Sequence, residues 1–146
     1  MERMAHTKPL WMDVTWGAGG STSDKTIELC SILQRLCHVE ALMHLTCTNM
    51  TMDMVVTALK EAKANGIRNI LALRGDPPRG EAEFKAIDNG FAHATDLIKY
   101  IKEQYGDYFC IVVAGYPEIH VEATTKEDDL KHLKEKCDLG ADIIIT

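Results

Sequence analysis

An apolar segment followed by an amphipathic one recurs about every 30 residues along this chain. That is the size of one βα unit, and no other feature narrows the fold as far. The apolar segments are Leu10–Trp16, Glu40–Cys47, Asn69–Asp76, Cys110–Pro117 and Asp142–Thr146. Between them the spacing predicts helices. Ser21-x-x-Asp24 caps one that runs to about Cys37, with Ile27, Cys30, Leu33 and Cys37 on one face. Thr51 starts a second, with Met52, Val55, Val56, Leu59 and Ala62 at three-four spacing and Gly66 at its end. A third buries Ala94, Leu97, Ile98 and Ile101 and stops at Gly106. Thr124-x-x-Glu127 is a capping box for a fourth, with Leu130, Leu133 and Cys137 inward and Gly140 closing it.

The strands are apolar on both faces, as parallel strands under helices are. Five such units fit an open doubly wound sheet, and they fit five-eighths of a (β/α)₈ barrel. Polar residues follow four strands in succession: Thr15-Trp16, His44 to Thr48, Arg74 to Asp76, and Tyr116 to His120. An open sheet binds ligands at one crevice, whereas a barrel builds its site from several strand ends, so the pattern favours the barrel.

Bulk properties exclude several classes. The 146 residues suggest one domain or a piece of one, and a net charge of −6 argues against nucleic-acid binding through a basic surface. No apolar run approaches the roughly 20 residues of a membrane helix. Met1 to His6 lacks the apolar core of a signal peptide. The five cysteines, Cys30, Cys37, Cys47, Cys110 and Cys137, fall inside predicted elements and read as reduced, buried and intracellular.

The run Asn69 to Pro78 carries the strongest chemical signal. An apolar strand stops at Arg74-Gly75-Asp76, and two prolines then stiffen the loop. Arg74 and Asp76 suit a phosphate or ring-edge contact plus a catalytic carboxylate. They equally suit an internal ion pair, since residues two apart on a strand share a face. His44 and Cys47, three apart on a strand, point to opposite faces and cannot chelate one metal. Gly17-Ala18-Gly19-Gly20-Ser21-Thr22 opens a helix but lacks the lysine of a P-loop. Tyr116 and His120 can stack on a flat ring or simply line a rim loop. Asp129, His132 and Lys136 share one helix face, which fits a solvated surface as well as a site.

Six colinear segments are together more specific than any one of them. They are Asp13-Val14-Thr15-Trp16-Gly17-Ala18-Gly19-Gly20, Met43 to Cys47, Leu71 to Pro77, Gly106 to Phe109, Val113 to Pro117, and Leu130 to Lys136. In this order the sequence resembles the catalytic domain of methylenetetrahydrofolate reductases of the eukaryotic type. The resemblance implies a partial (β/α)₈ TIM barrel of about five βα units, strands 2 to 6 of the family's eight, with residues 1–146 forming one partial FAD-binding catalytic domain. It implies FAD as cofactor, NAD(P)H as reductant, and reduction of 5,10-methylenetetrahydrofolate to 5-methyltetrahydrofolate in the cytoplasm. Carried over position by position, Thr15, Trp16 and His44 stand as flavin contacts, and Arg74 and Gly75 as cofactor contacts. Asp76 stands as the carboxylate that faces both flavin and folate and steadies the cationic iminium form of the substrate. His93, in place of a tyrosine, and Ala94 match further FAD positions, as do Tyr116, His120, Asp129 and Lys136. Ile119-His120-Val121 departs from a Gly-His-Pro pattern.

Measured against the family pattern, the chain lacks the first strand with its glutamate general acid. It also stops before a substrate-binding glutamine, the last strands and the regulatory domain. Weak or lost turnover is therefore expected. The alternative is a non-catalytic fragment that binds flavin or a partner, through self-association or pairing with a full-length reductase.

Overall fold

A computed structural model describes residues 1–17, 23–77 and 87–146. A short helix α1 (Glu2–Ala5) precedes strand β1 (Trp11–Val14). Helix α2 (Ser23–Leu36), strand β2 (Glu40–Thr46), helix α3 (Met52–Ala64) and strand β3 (Asn69–Leu73) follow. Helix α4 (Ala94–Tyr105), strand β4 (Cys110–Ala114), helix α5 (Lys126–Asp138) and strand β5 (Ile143–Ile145) complete the order.

The strands lie in the order β1-β2-β3-β4-β5, every neighbouring pair parallel. A doubly wound sheet reverses its strand order at a switch point, whereas a barrel does not. The unbroken order with alternating helices is a half-barrel, and it resolves the ambiguity that periodicity leaves.

The two faces of the sheet are packed unequally. Ala41, Met43 and Leu45 of β2, Ile70 and Ala72 of β3, and Ile111 and Val113 of β4 point to the helices. There they meet Ile27, Cys30 and Leu33 of α2, Val55 and Leu59 of α3, and Leu97, Ile98 and Ile101 of α4 in one buried cluster. The other face holds a small cluster, Leu42, Leu71 and Val112, flanked by Trp11, Leu73, Cys110 and Ile145. Strand alternation places Asp13, His44 and Thr46 on this same inner side, nearer the C-terminal ends. A cavity of about 150 Å³ opens at the opposite end, among Leu10, Trp11, Leu42, Asn69, Val112 and Ile143.

Several expected boundaries shift. The third strand ends at Leu73 rather than Asp76, because Gly75 has φ +91 and turns the chain out of the ladder. The first and fourth strands are also shorter than their apolar runs. The cap of α5 is Thr125, not Thr124: its hydroxyl accepts from the Asp128 N–H at 3.2 Å. Leu130 and Cys137 are exposed, contrary to the inward stripe expected. Helix α5 instead turns Asp129, Leu133 and Lys136 toward the sheet, and the Lys136 ammonium donates to the Ala114 carbonyl at 3.0 Å. Met52, expected on the buried stripe of α3, is partly exposed. The cysteines are all free thiols, but burial holds only for Cys30 and Cys47. The expected Ser21 cap and the glycine-rich segment from Ala18 to Thr22 lie outside the described residues, as does Pro78. No helix among the described residues is long and apolar enough to cross a membrane.

Candidate functional site

The loops beyond the strand C-termini are tied to one another by side-chain hydrogen bonds. After β2 the chain reaches Thr48, 3% exposed, whose hydroxyl donates to the carbonyls of Arg74 at 3.2 Å and Asp76 at 2.9 Å. The backbone N–H groups of Cys47 and Thr48 also donate to the Arg74 carbonyl. The segment Arg74 to Asp76 is thus fixed beside β2 although it has left the ladder. Gly75 is required for this: a Cβ there would lie 2.9 Å from the Thr46 Cβ and would strike the Thr48 hydroxyl. Asp76 remains exposed at the rim.

Arg74 is clasped by a residue that sequence reasoning did not single out. Its guanidinium donates to both carboxylate oxygens of Glu122, at 2.6 and 2.7 Å. The Glu122 side-chain hydrogen bond is the main cause holding the Arg74 pKa above its ordinary value, and the reciprocal bond depresses that of Glu122. The negative charge of Asp76 raises Arg74 further. Glu122 lies 48 residues downstream, beyond β4. Its N–H donates to His120 Nδ1 at 3.2 Å, and the His120 ring meets Tyr116 edge-on at 4.7 Å between centroids. Tyr116, Glu122 and Arg74 therefore form one linked rim, with His120 between them. Ile119 within it has φ +85.

Deeper on the inner face, His44 Nε2 lies 3.2 Å from the Asp13 carboxylate, a pairing across adjacent strands. Asp13 is the second residue that sequence reading passed over; its position two before Thr15 on a strand was the available signal. Thr15 is exposed, and its carbonyl accepts from the buried Thr26 hydroxyl of α2 at 3.0 Å. Trp16 points the other way, into the helix-facing cluster, so the structure places its ring beneath the rim rather than on it. Cys47 also faces away from His44, donating to the carbonyls of Leu73 and His93. Burial pushes its thiol up to about 12, with Asp96 adding to the rise.

His93 caps α4, and its backbone N–H donates to the Asp96 carboxylate at 2.9 Å; Ala94 is the first helical residue. Lys136 reaches the Ala114 carbonyl at the end of β4, and Asp129 on the same helix acts on its charge. The Lys136 pKa is lowered, first by desolvation and against the pull of Asp129. His132, on the same helix, is largely exposed. Two larger surface hollows, about 660 and 680 Å³, lie elsewhere, between α2 and α3 and beside α1 and β1.

Five sequential parallel strands with their polar groups gathered past the C-terminal ends define a (β/α)₈-type barrel segment. Comparison with known proteins sharpens that class. The family described as methylenetetrahydrofolate reductase matches residues 1–146, and the chain belongs to that family. It is 50% identical over 155 residues to methylenetetrahydrofolate reductase (NADH) 1 of Zea mays, covering 100% of this chain and 26% of the maize protein. It is 40% identical over 152 residues to the probable methylenetetrahydrofolate reductase (NADPH) of Caenorhabditis elegans, covering 100% of this chain and 22% of that protein. The 5,10-methylenetetrahydrofolate reductase of Escherichia coli is 38% identical over 146 residues, with 100% of this chain and 47% of that protein covered. The chain spans about a quarter of the length of the plant and nematode relatives, 26% and 22%.

Proposed function

We propose that the chain is the flavin-binding part of a cytoplasmic reductase that converts 5,10-methylenetetrahydrofolate to 5-methyltetrahydrofolate with NAD(P)H. The observation that carries the reading is the fixed rim of Arg74, Gly75 and Asp76 on a chain that matches the family from end to end. The donor set suits FAD. Arg74 and Lys136 are cations suited to a pyrophosphate, Tyr116 is an exposed aromatic ring, and Thr15, His44 and Asp129 offer polar contacts. His93, Ala94 and His120 belong to the same proposed set, with Trp16 supporting it from below. FAD bound here would carry two electrons from a nicotinamide to the folate.

In this reading the residues of the chain hold and polarise. Thr48 fixes the backbone of Asp76, which sets the place from which its exposed carboxylate reaches out. Facing the folate methylene, that carboxylate favours the cationic iminium form electrostatically. Loss of a group that stabilises developing charge costs on the order of 10²–10³ in rate.

The first test is the visible spectrum of the purified chain titrated with FAD. A perturbed flavin band at stoichiometric occupancy supports the reading, and an unperturbed spectrum at saturating FAD ends it. The second is Asp76→Asn in a complete, flavin-loaded reductase that carries this sequence. Flavin should stay bound, and folate reduction should slow about 10²–10³-fold while NAD(P)H oxidation changes much less. Equal slowing of both half-reactions removes the role given to Asp76. Flavin retention without any turnover assigns the chain to binding alone.

A further inference from the structure

We infer that Glu122 is a positioning residue, whose carboxylate holds the Arg74 guanidinium ready for a diphosphate-bearing ligand at the rim. The inference rests on the flavin-binding reading above and adds to it a residue and a role.

Arg74 is fixed at two points. Its carbonyl accepts from the Thr48 hydroxyl and from the N–H groups of Cys47 and Thr48, which sets the backbone. Its guanidinium meets both oxygens of Glu122 at 2.6 and 2.7 Å, a fork-on-fork arrangement that fixes the plane of the group as well as its place. An arginine that is held in one rotamer before the ligand arrives has less freedom to lose when it binds. Glu122 is itself aimed by its own loop, since its N–H donates to His120. The pair joins the loop after β3 to the loop after β4, so the clasp also sets the distance between Arg74 and Tyr116. The two side chains are 26% and 51% exposed. Partly exposed ion pairs add little to folding stability, so this one can be removed without dismantling the fold.

The experiment compares the full chain with Glu122→Ala, Glu122→Gln, Arg74→Ala and the Arg74→Ala/Glu122→Ala double variant. Binding of FAD and of riboflavin, which has the same ring and no phosphate, is followed by flavin fluorescence. A urea midpoint is measured for each protein. Glu122→Ala should weaken FAD binding about tenfold, shift riboflavin binding less than about twofold, and leave the midpoint in place. Glu122→Gln, which keeps one carbonyl acceptor, should fall between. The double variant should bind FAD no worse than Arg74→Ala alone. Unchanged or tighter FAD binding in Glu122→Ala overturns the inference, the tighter result marking Glu122 as a competitor of the ligand. Equal losses for FAD and riboflavin, or additive losses in the double variant, overturn it as well. If Glu122→Ala does not fold, Glu122→Gln decides by the same comparison of the two flavins. A parent chain that binds neither flavin removes the underlying reading and this inference together. A parent that binds FAD while both Glu122 variants bind it equally removes the inference alone.

Discussion

Ile119 holds φ +85 in the middle of the rim loop. A β-branched side chain in that region of backbone space is strained, at a cost of order 1–3 kcal/mol. Glycine removes the clash and adds freedom to the unfolded chain, which offsets part of the gain. Ile119→Gly should therefore raise stability by about 1 kcal/mol, read as a higher urea midpoint. An unchanged or lower midpoint would show that the loop carries no strain. The sequence already marked this place, since Ile119-His120-Val121 departs from Gly-His-Pro, but only the dihedral angle says what the departure does. The thiols make a second prediction at this scale. Burial pushes Cys30 and Cys47 up to about 12, while Cys137 is exposed on α5. Iodoacetamide on the native chain should label Cys137 and spare Cys30 and Cys47, as peptide mass spectrometry would report. Labelling of Cys47 as fast as Cys137 would mean that the β2 end opens readily.

Among the elements, α4 and α5 show where pattern reading succeeds and where it fails. Helix α4 buries Leu97, Ile98 and Ile101 as their spacing demands, because one apolar stripe stands against a polar remainder. Helix α5 has no buried residue: of the stripe its spacing draws, Leu130 and Cys137 are exposed and only Leu133 packs partly against the core. What orients it is the reach of Lys136 to Ala114 and the cap at Thr125, neither of which hydrophobic spacing encodes. The cap leads to a pH prediction. Hydrogen bonds from the Thr125 hydroxyl, then Lys131 and the Thr124 hydroxyl, lower Asp128 from 3.8 to about 2. The folded state thus favours the ionised carboxylate. Its stabilisation is complete above pH 3.8 and fades as pH falls through about 2. Asp128→Asn should be less stable than the parent near neutral pH, with the difference closing below about pH 2. Urea midpoints measured across that range would decide, and a gap independent of pH would reject the ionised cap.

For the molecule as a whole, the 30-residue repeat made the parallel α/β architecture legible, and the strand order then chose the barrel. The rim was legible one loop at a time. Its cross-links were not. Arg74 had a near carboxylate in Asp76, yet the two-pronged contact is with Glu122, and His44 meets Asp13 from a neighbouring strand. Such pairings depend on which strand ends become neighbours, which no local pattern contains. The unequal packing of the two sheet faces gives the last prediction. Ile98→Ala, in the helix-facing cluster and fully buried, should cost about 2–5 kcal/mol. Asp76→Asn, exposed at the rim, should stay within about 0.5 kcal/mol of the parent. Chemical denaturation of both variants measures the contrast, and comparable losses would mean that rim and core are energetically coupled.

That asymmetry between the faces bears on how such a scaffold can change over generations. The layer beneath the helices keeps the polypeptide folded, and among the described residues the concave side has a small buried nucleus of Leu42, Leu71 and Val112. Side chains above that nucleus can be exchanged singly, altering what is recognised, while the architecture that presents them persists.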